Sequence, residues 1–442
     1  MIKVFDVRNG AGDEFYKMLS GRNVKESPEI THMVGAILED VNQNGDKAVL
    51  KYTEMFDGVG LAEDEIKVSQ REIDAACCEV DDALLATIKK AAENIREFHI
   101  KQKENSWFST EKDGVILGQI YRPLEKVGVY VPGGTAAYPS SVLMNVIPAK
   151  VAGVAKIIMV TPPGKDKSIN PVILAAAKVA GVDEIYRVGG AQAISAMAFG
   201  TGSIPRVDKI VGPGNIYVAT AKRMVYGYCD IDMVAGPSEI AIVADDSANP
   251  AYVAADLLSQ AEHDALASSI LVTTCEKLAE KVIEEIDRQC GYLSRKDIIR
   301  KSLDSYGAVI ITGSVKEAVE IVNNIAPEHL ELCVREPFSL LGEIRNAGAI
   351  FLGSYASEPL GDYFAGPNHV LPTGGTARFF SPLNTGDFLK KSSVISYSRE
   401  ALEKVKDDII RFAEAEGLTA HANAIQVRWS DGSYKCNSGE EG

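Results

Sequence analysis

Two hydrophobic periodicities divide the chain. Over the first hundred or so residues apolar positions recur at helical spacing, as in Ser69 to Ile100, with few turn signals between them. From Lys126 the pattern changes to short apolar runs, each followed by glycines and then a helical stretch: KVGVYVPGG, KIIMVTPPG, EIYRVGGAQ and DKIVGPGN, starting at 126, 156, 184 and 208. This spacing predicts βαβ units, because a parallel crossover needs a helix and two short loops, and the absence of alternation predicts strands buried on both faces. A second series predicts another such sheet: IAIVAD (240 to 245), SSILVTT (268 to 274), GAVIIT (307 to 312), HLELCV (329 to 334) and GAIFLG (348 to 353). Two doubly wound halves with a cleft between them are expected, with ligands outside the carboxyl ends of the strands. After Asp387 the helical period returns in Arg399 to Glu416, with Leu402, Val405, Ile409, Phe412 and Ala413 on one face and Gly417 as its cap, followed by a polar tail.

Composition narrows the class. A chain of 442 residues, 46% hydrophobic, can bury more than one core, so at least two domains are expected. A formal net charge of −15 and the lack of a basic stripe with interleaved aromatics argue against nucleic acid and fit a small, cationic substrate. The opening MIKVFDVRNG lacks the basic, apolar, small-residue order of a signal peptide. No apolar run reaches the roughly 20 residues that span a bilayer, so no membrane partner and a cytoplasmic location are expected. Seven cysteines, at 77, 78, 229, 275, 290, 333 and 436, form no CxxC pair, which predicts reduced thiols and no thiolate metal site.

Candidate chemistry concentrates in a few places. Gly212-Pro213-Gly214 follows a strand and opens a helix, but Tyr217 stands where a dinucleotide fingerprint needs its third glycine. A helix N-terminus able to hold an anion or a polar cofactor edge remains, and Gly133-Gly134 and Gly189-Gly190 form similar loops, which favours a cofactor cleft over three unrelated turns. Of six histidines, His32 and His99 read as ordinary surface or core residues. The segment Asn249 to His263 predicts a helix capped by Asn249 with Pro250 at its first position, placing Gln260 and His263 three apart on one face, where an amide oxygen and an imidazole can meet one metal ion. Alone that pair reads as an ordinary helix face, and Asp362, in the glycine-punctuated loop EPLGDYFAGPNHV, and His421, beyond the last amphipathic helix, read singly as a surface-loop acid and a terminal histidine. Taken together the four would give mixed N and O ligation of the kind that suits zinc. Glu328-His329 follows the helix-ending Pro327 and starts an apolar run. It reads either as a pair for two proton transfers of different demand or as a helix-terminating polar pair.

The motifs VGVYVPGGTAAYPSSVLMNVIPAKVAGV, VGGAQAISAMAFG, VGPGNIYVATAKR, DMVAGPSEIAIVAD, LLSQAEHDA, NNIAPEHLEL, LGDYFAGPNHVLPT and EAEGLTAHANAI, in this order over nearly the whole chain, closely resemble the histidinol dehydrogenase family. The resemblance implies oxidation of L-histidinol through a bound aldehyde to L-histidine with two NAD, in histidine biosynthesis. It implies that Gln260, His263, Asp362 and His421 bind one zinc ion per subunit, His421 coming from the other subunit of a homodimer with shared sites. By the same likeness Tyr130, Gln192 and Asn215 contact NAD, Ser238, His329, His369 and Glu416 contact the substrate together with the zinc ligands, and Glu328 and His329 are the catalytic pair. The implied fold is α/β, two incomplete Rossmann-like (aldehyde-dehydrogenase-like) parallel-sheet domains with a helical N-terminal region and a C-terminal helical arm. Boundaries expected on this basis are 1–25 for an N-terminal arm, 26–125 plus 237–385 for a discontinuous substrate and zinc domain, 126–236 for the NAD domain and 386–442 for a dimerisation arm. The residues alone leave open a relative acting on another small alcohol, a zinc hydrolase, and a nucleotide-binding regulatory module.

Overall fold

A computed structural model of the chain describes residues 2–9, 12–20, 27–133 and 138–429. Gly134, Cys436 and the polar tail, all noted above, lie outside the described residues. The chain divides into two compact units, one of residues 1–103 with 123–389, the other of residues 104–122 with those from 390 onward.

The larger unit holds two parallel sheets. The first has the strand order Glu184–Arg187, Lys156–Thr161, Lys126–Tyr130, Lys209–Val211, Asp230–Ile231. The second runs Lys3–Asp6, Ala308–Ile311, Ser268–Thr273, Glu239–Ala244, His329–Cys333, Ala349–Leu352. Every pairing in both is parallel, so the α/β class read from the apolar runs is present. Ile157, Ile158, Met159 and Val160 are fully buried, as are Ile240, Ala241 and Ile242. Each such Ile or Val stabilises the fold by about 1.5–3 kcal/mol relative to exposure. Helices between the strands start where polar caps allow: Asn170 Oδ1 accepts from Val172 N at 2.9 Å and Ser314 caps Glu317 N.

Three features depart from the sequence-based picture. Lys3–Asp6, expected to lie in an arm, pairs with Ala308–Ile311 as an edge strand, and Phe5 and Phe15 join the core beneath it. The early helices share their core with the first sheet: Val34, Ile37 and Val41 pack with Ile158, Val160 and Ile194, and Ile88, Ala92 and Ile95 with Val129, Met144 and Ile147. These helices, grouped with 237–385 in the expectation, thus bury apolar residues against the first sheet, because periodicity gives a helix its apolar face but not the sheet that covers it. The stretch Ser69 to Ile100 is two helices, Gln70–Glu79 and Asp82–Ile100, the second starting at Asp81, whose carboxylate accepts from Leu84 N at 3.0 Å.

The smaller unit is a sheet ordered Leu389–Tyr397, Val115–Pro123, Trp107–Ser109, with helices Arg399–Glu403, Lys406–Ala415 and Thr419–Gln426. The single helix expected over 399–416 is thus broken at Lys404 and Val405. Six described cysteines, 77, 78, 229, 275, 290 and 333, are free, and no described helix is long and apolar enough to cross a membrane.

Candidate active site

The first sheet carries its loops at the carboxyl ends of its strands. Tyr130 ends the central strand, and its buried hydroxyl accepts from Gly190 N at 3.2 Å, a bond that fixes the start of helix Gly190–Phe199. Loss of water pushes this phenol up to about 12. Gln192, on that helix, is buried, and neither polar atom of its amide has a partner among the described residues. Asn215 caps helix Ile216–Val225, its Oδ1 accepting from Tyr217 N and Val218 N, both at 3.1 Å. Gly212 stands at φ +113°, where a Cβ would lie 2.1 Å from Tyr130 O, so only glycine lets the two loops approach. Around these groups is a cavity of about 1010 Å³ whose lining includes Tyr130, Gly133, Pro162, Gln192 and Asn215.

That loop is held by a buried ion pair. Lys222 and Asp232, with side chains 3% and 1% exposed, pair directly, Lys222 Nζ donates to Gly212 O at 2.8 Å, and Asp232 Oδ2 accepts from Gly212 N at 2.8 Å. Lys222→Met should cost about 3–5 kcal/mol in chemical denaturation, because it strands the Asp232 carboxylate in the core. The double variant with Asp232→Asn should recover part of that loss. A single variant as stable as the parent would show that the pair does not hold the loop.

The second sheet presents its chemistry at the opposite, amino ends of its strands. Ala326, in the left-handed region at φ 52°, closes helix Val315–Ile325, and Pro327 turns the chain so that Glu328 precedes strand His329–Cys333 and His329 is its first residue. The expectation placed ligands outside the carboxyl ends; these polar residues lie at the amino ends of the second sheet, and helix Pro250–Ala261 delivers its C-terminal turn to the same edge. Glu328 Oε2 accepts from Glu239 N at 2.8 Å. Burial pushes its carboxyl up to about 7 against the pull of neighbouring His329. His329 Nδ1 donates to Glu239 O at 3.1 Å, leaving Nε2 without a hydrogen-bond partner among the described residues, 3.6 Å from Asp362 Oδ1. Burial works against charge on this imidazole, but Glu328 and Asp362 outweigh it and push it up to about 10.

Asp362 lies on a short helix, Glu358–Tyr363, rather than in a loop. Burial raises its carboxyl, yet His329, His369 and His263 around it prevail and hold it at about 2. His369 Nδ1 is 3.9 Å from Asp362 Oδ1. The neighbouring Asn368 donates to Met144 O at 2.7 Å and meets His99 Nε2 at 3.3 Å, which gives buried His99 a positioning part that its sequence setting did not show. Gln260 is fully buried with both amide atoms unpartnered among the described residues, and His263 follows in the turn after the helix, not on its face. His263, Glu358 and Asp362 each offer a ligand atom within 4.8 Å of the others. Glu358 was not singled out from sequence, although it sits four residues before Asp362, one helical turn away. Its carboxyl, pushed up to about 8 by burial and then by the charge of Asp362, accepts from Ser259 Oγ at 2.9 Å. A second cavity, of about 660 Å³, is lined by His329, Asp362, His369, Phe98 and Phe351 among others.

Ser238 immediately precedes strand Glu239–Ala244 and its carbonyl accepts from Ser268 N at 3.0 Å. Glu416 and His421 belong to the smaller unit, Glu416 capping helix Lys406–Ala415 and His421 on helix Thr419–Gln426, both exposed.

Comparison with known proteins identifies the family. A family model described as histidinol dehydrogenase matches residues 20–429. Histidinol dehydrogenase of Caldanaerobacter subterraneus is 59% identical over 97% of this chain and 99% of its own, and that of Clostridium acetobutylicum 58% over 95% and 96%. The crystal structure of histidinol dehydrogenase from Elizabethkingia anophelis superposes with a TM-score of 0.92 at 40% identity, covering 97% of this chain and 98% of that one. A fold shared throughout, a family model spanning all but the ends and identities well above what fold alone requires mean that the chain belongs to the histidinol dehydrogenase family and is an oxidoreductase.

Proposed function

We propose that this chain oxidises L-histidinol by four electrons to L-histidine, through an aldehyde that stays bound, with two NAD reduced in turn. The observation that carries this reading is His329: its Nδ1–H is committed to Glu239 O, so Nε2 is the ring atom left for the second cavity beside Asp362, and it serves as a base once its own proton is released. His329 would take the hydroxyl proton of the substrate, and NAD, when bound in the larger cavity, would supply the acceptor for the hydride on the carbinol carbon. Glu328, buried and held by Glu239 N, takes a proton from the water that adds to the aldehyde. The hydrate then loses its second hydride, for which a second NAD would be the acceptor, and a hydroxyl proton, which His329 would take after releasing the first to solvent, leaving the carboxylic acid. Tyr130, Gln192 and Asn215 hold NAD in the larger cavity, where the unpartnered amide of Gln192 awaits a polar ligand. Ser238, His369 and Glu416 contact the substrate.

The donors fit zinc. Gln260 keeps both amide atoms buried and unsatisfied at the end of the helix that leads to His263, and the nearby acids and imidazoles form a thiol-free N and O set. Gln260, His263 and Asp362 would hold the ion, with the partner subunit's His421 completing the set. When bound, zinc supplies a fixed positive charge that orients the substrate's imidazole and amino nitrogens. That charge also offsets the carboxylates that now favour protonated His329. The working place in this reading is the cytoplasm. Incubation with L-histidinol and NAD should yield two NADH for each histidine. No NADH, or one with the aldehyde accumulating, would end the proposal.

A homodimer with shared sites is part of the same reading, supported by apolar side chains that the smaller unit leaves exposed, Ile395 at 73% and Phe412 at 72%. Mixing inactive His421→Ala and His329→Ala proteins after reversible dissociation should restore about a quarter of wild-type activity, since about half the dimers are hybrids with one whole site of two. No recovery would place His421 in its own chain's site.

A further inference from the structure

The cavity at the carboxyl ends of the first sheet contains an acid with no role so far. Asp57 is the last residue of helix Asp46–Asp57, ahead of the left-handed cap Gly58, and it lines the cavity of about 1010 Å³. Its Oδ2 is buried without a hydrogen-bond partner among the described residues. Everything local works against a carboxylate here. The helix C-terminus carries the negative end of the macrodipole. Loss of water pushes the carboxyl up to about 6, with no cation or donor to compensate. Among described residues lining the cavity, only Asp57 and Lys165 carry charge, and beside Asp57 the apolar side chains of Met33 and Phe56 are half exposed. An acid that destabilises its helix and faces a cavity next to bare apolar surface suits a ligand that brings hydroxyl donors and an aromatic face together.

We propose that Asp57 accepts hydrogen bonds from the 2′ and 3′ hydroxyls of the adenosine ribose of NAD and excludes a 2′-phosphate, so that it sets a preference for NAD over NADP. The inference rests on reading this cavity as the NAD site. The adenosine end is indicated because the reacting end of the nucleotide must reach the cavity of His329, whose lining does not include Asp57. Met33 and Phe56 then offer the adenine an apolar face. A hydroxyl bonded to a carboxylate contributes more than one bonded to a neutral group, whereas a dianionic phosphate against an unpartnered carboxylate is repelled.

The test measures calorimetric binding of NAD and of NADP to the intact protein and to Asp57→Asn and Asp57→Ser, with melting temperatures for all three. Both variants should bind NAD roughly 10- to 100-fold more weakly, narrow the gap between NAD and NADP by at least as much, and melt no lower than the parent. Equal weakening of both nucleotides, an unchanged NAD affinity, or a lowered melting temperature in both variants would overturn the assignment. Gln192→Ala separates the two levels. If it too leaves NAD binding unchanged, the reading of the cavity fails; if it weakens NAD while Asp57→Asn keeps the parental ratio, only the role of Asp57 fails.

Discussion

His329→Asn should lower oxidation of L-histidinol by roughly 10²–10⁴-fold, the usual contribution of a positioned proton acceptor, while its zinc content stays at the parental level. The asparagine amide can still donate toward Glu239 O, where His329 Nδ1 now donates at 3.1 Å, but it offers no basic lone pair in place of the unpartnered Nε2. Glu328→Gln should behave differently. Its amide oxygen can keep the bond from Glu239 N, so the strand edge is preserved, yet the group no longer takes a proton from water. Conversion of supplied aldehyde to acid should fall while the alcohol step is largely spared. The carboxyl of Glu328 is raised to about 7, and a base works only when ionised, so aldehyde oxidation in the parent should decline as pH drops through about 7. That limb should vanish in Glu328→Gln. Separate kcat and KM measurements on alcohol and aldehyde decide the matter. Equal losses on both substrates in both variants would refute the division of labour while leaving the site in place.

Chelation should abolish activity, and adding zinc back should restore it. The donors are exchangeable because none is a thiolate, and stripping the ion leaves Glu358 and Asp362 facing each other beside unsatisfied Gln260. Glu358, raised to about 8 by burial and by Asp362, binds a proton at neutral pH in the metal-free state. Rebinding of zinc should therefore release protons to a weakly buffered solution and raise the melting temperature, because the ion binds the folded state only. Full turnover by protein shown by elemental analysis to be metal-free would end the assignment.

Much of this molecule was legible in the sequence, for a physical reason. A parallel strand covered on both faces is a contiguous apolar run, so Lys156–Thr161 and Ser268–Thr273 lie where the runs KIIMVT and SSILVT mark them. Local chemistry was equally readable: the Asn249 cap with Pro250, the helix stop before Pro327 and the glycine loops after the first-sheet strands all depend on residues a few positions apart. The resemblance added a set of site residues that spacing alone leaves as separate polar positions. What tertiary structure decided was which distant segments meet. Nothing local to Asp57 places it at the cavity of Tyr130 and Gln192. Glu358 joins His263 and Asp362 only because its short helix docks on helix Pro250–Ala261, and His99 becomes a support for Asn368 only across a gap of 269 residues. The early helices likewise advertised apolar faces without naming the first sheet as their cover, and the apolar runs of the second sheet did not say at which end its chemistry would gather. Periodicity reports how a segment sits relative to its own axis, whereas the partner it buries against is chosen by complementarity among faces far apart in the chain.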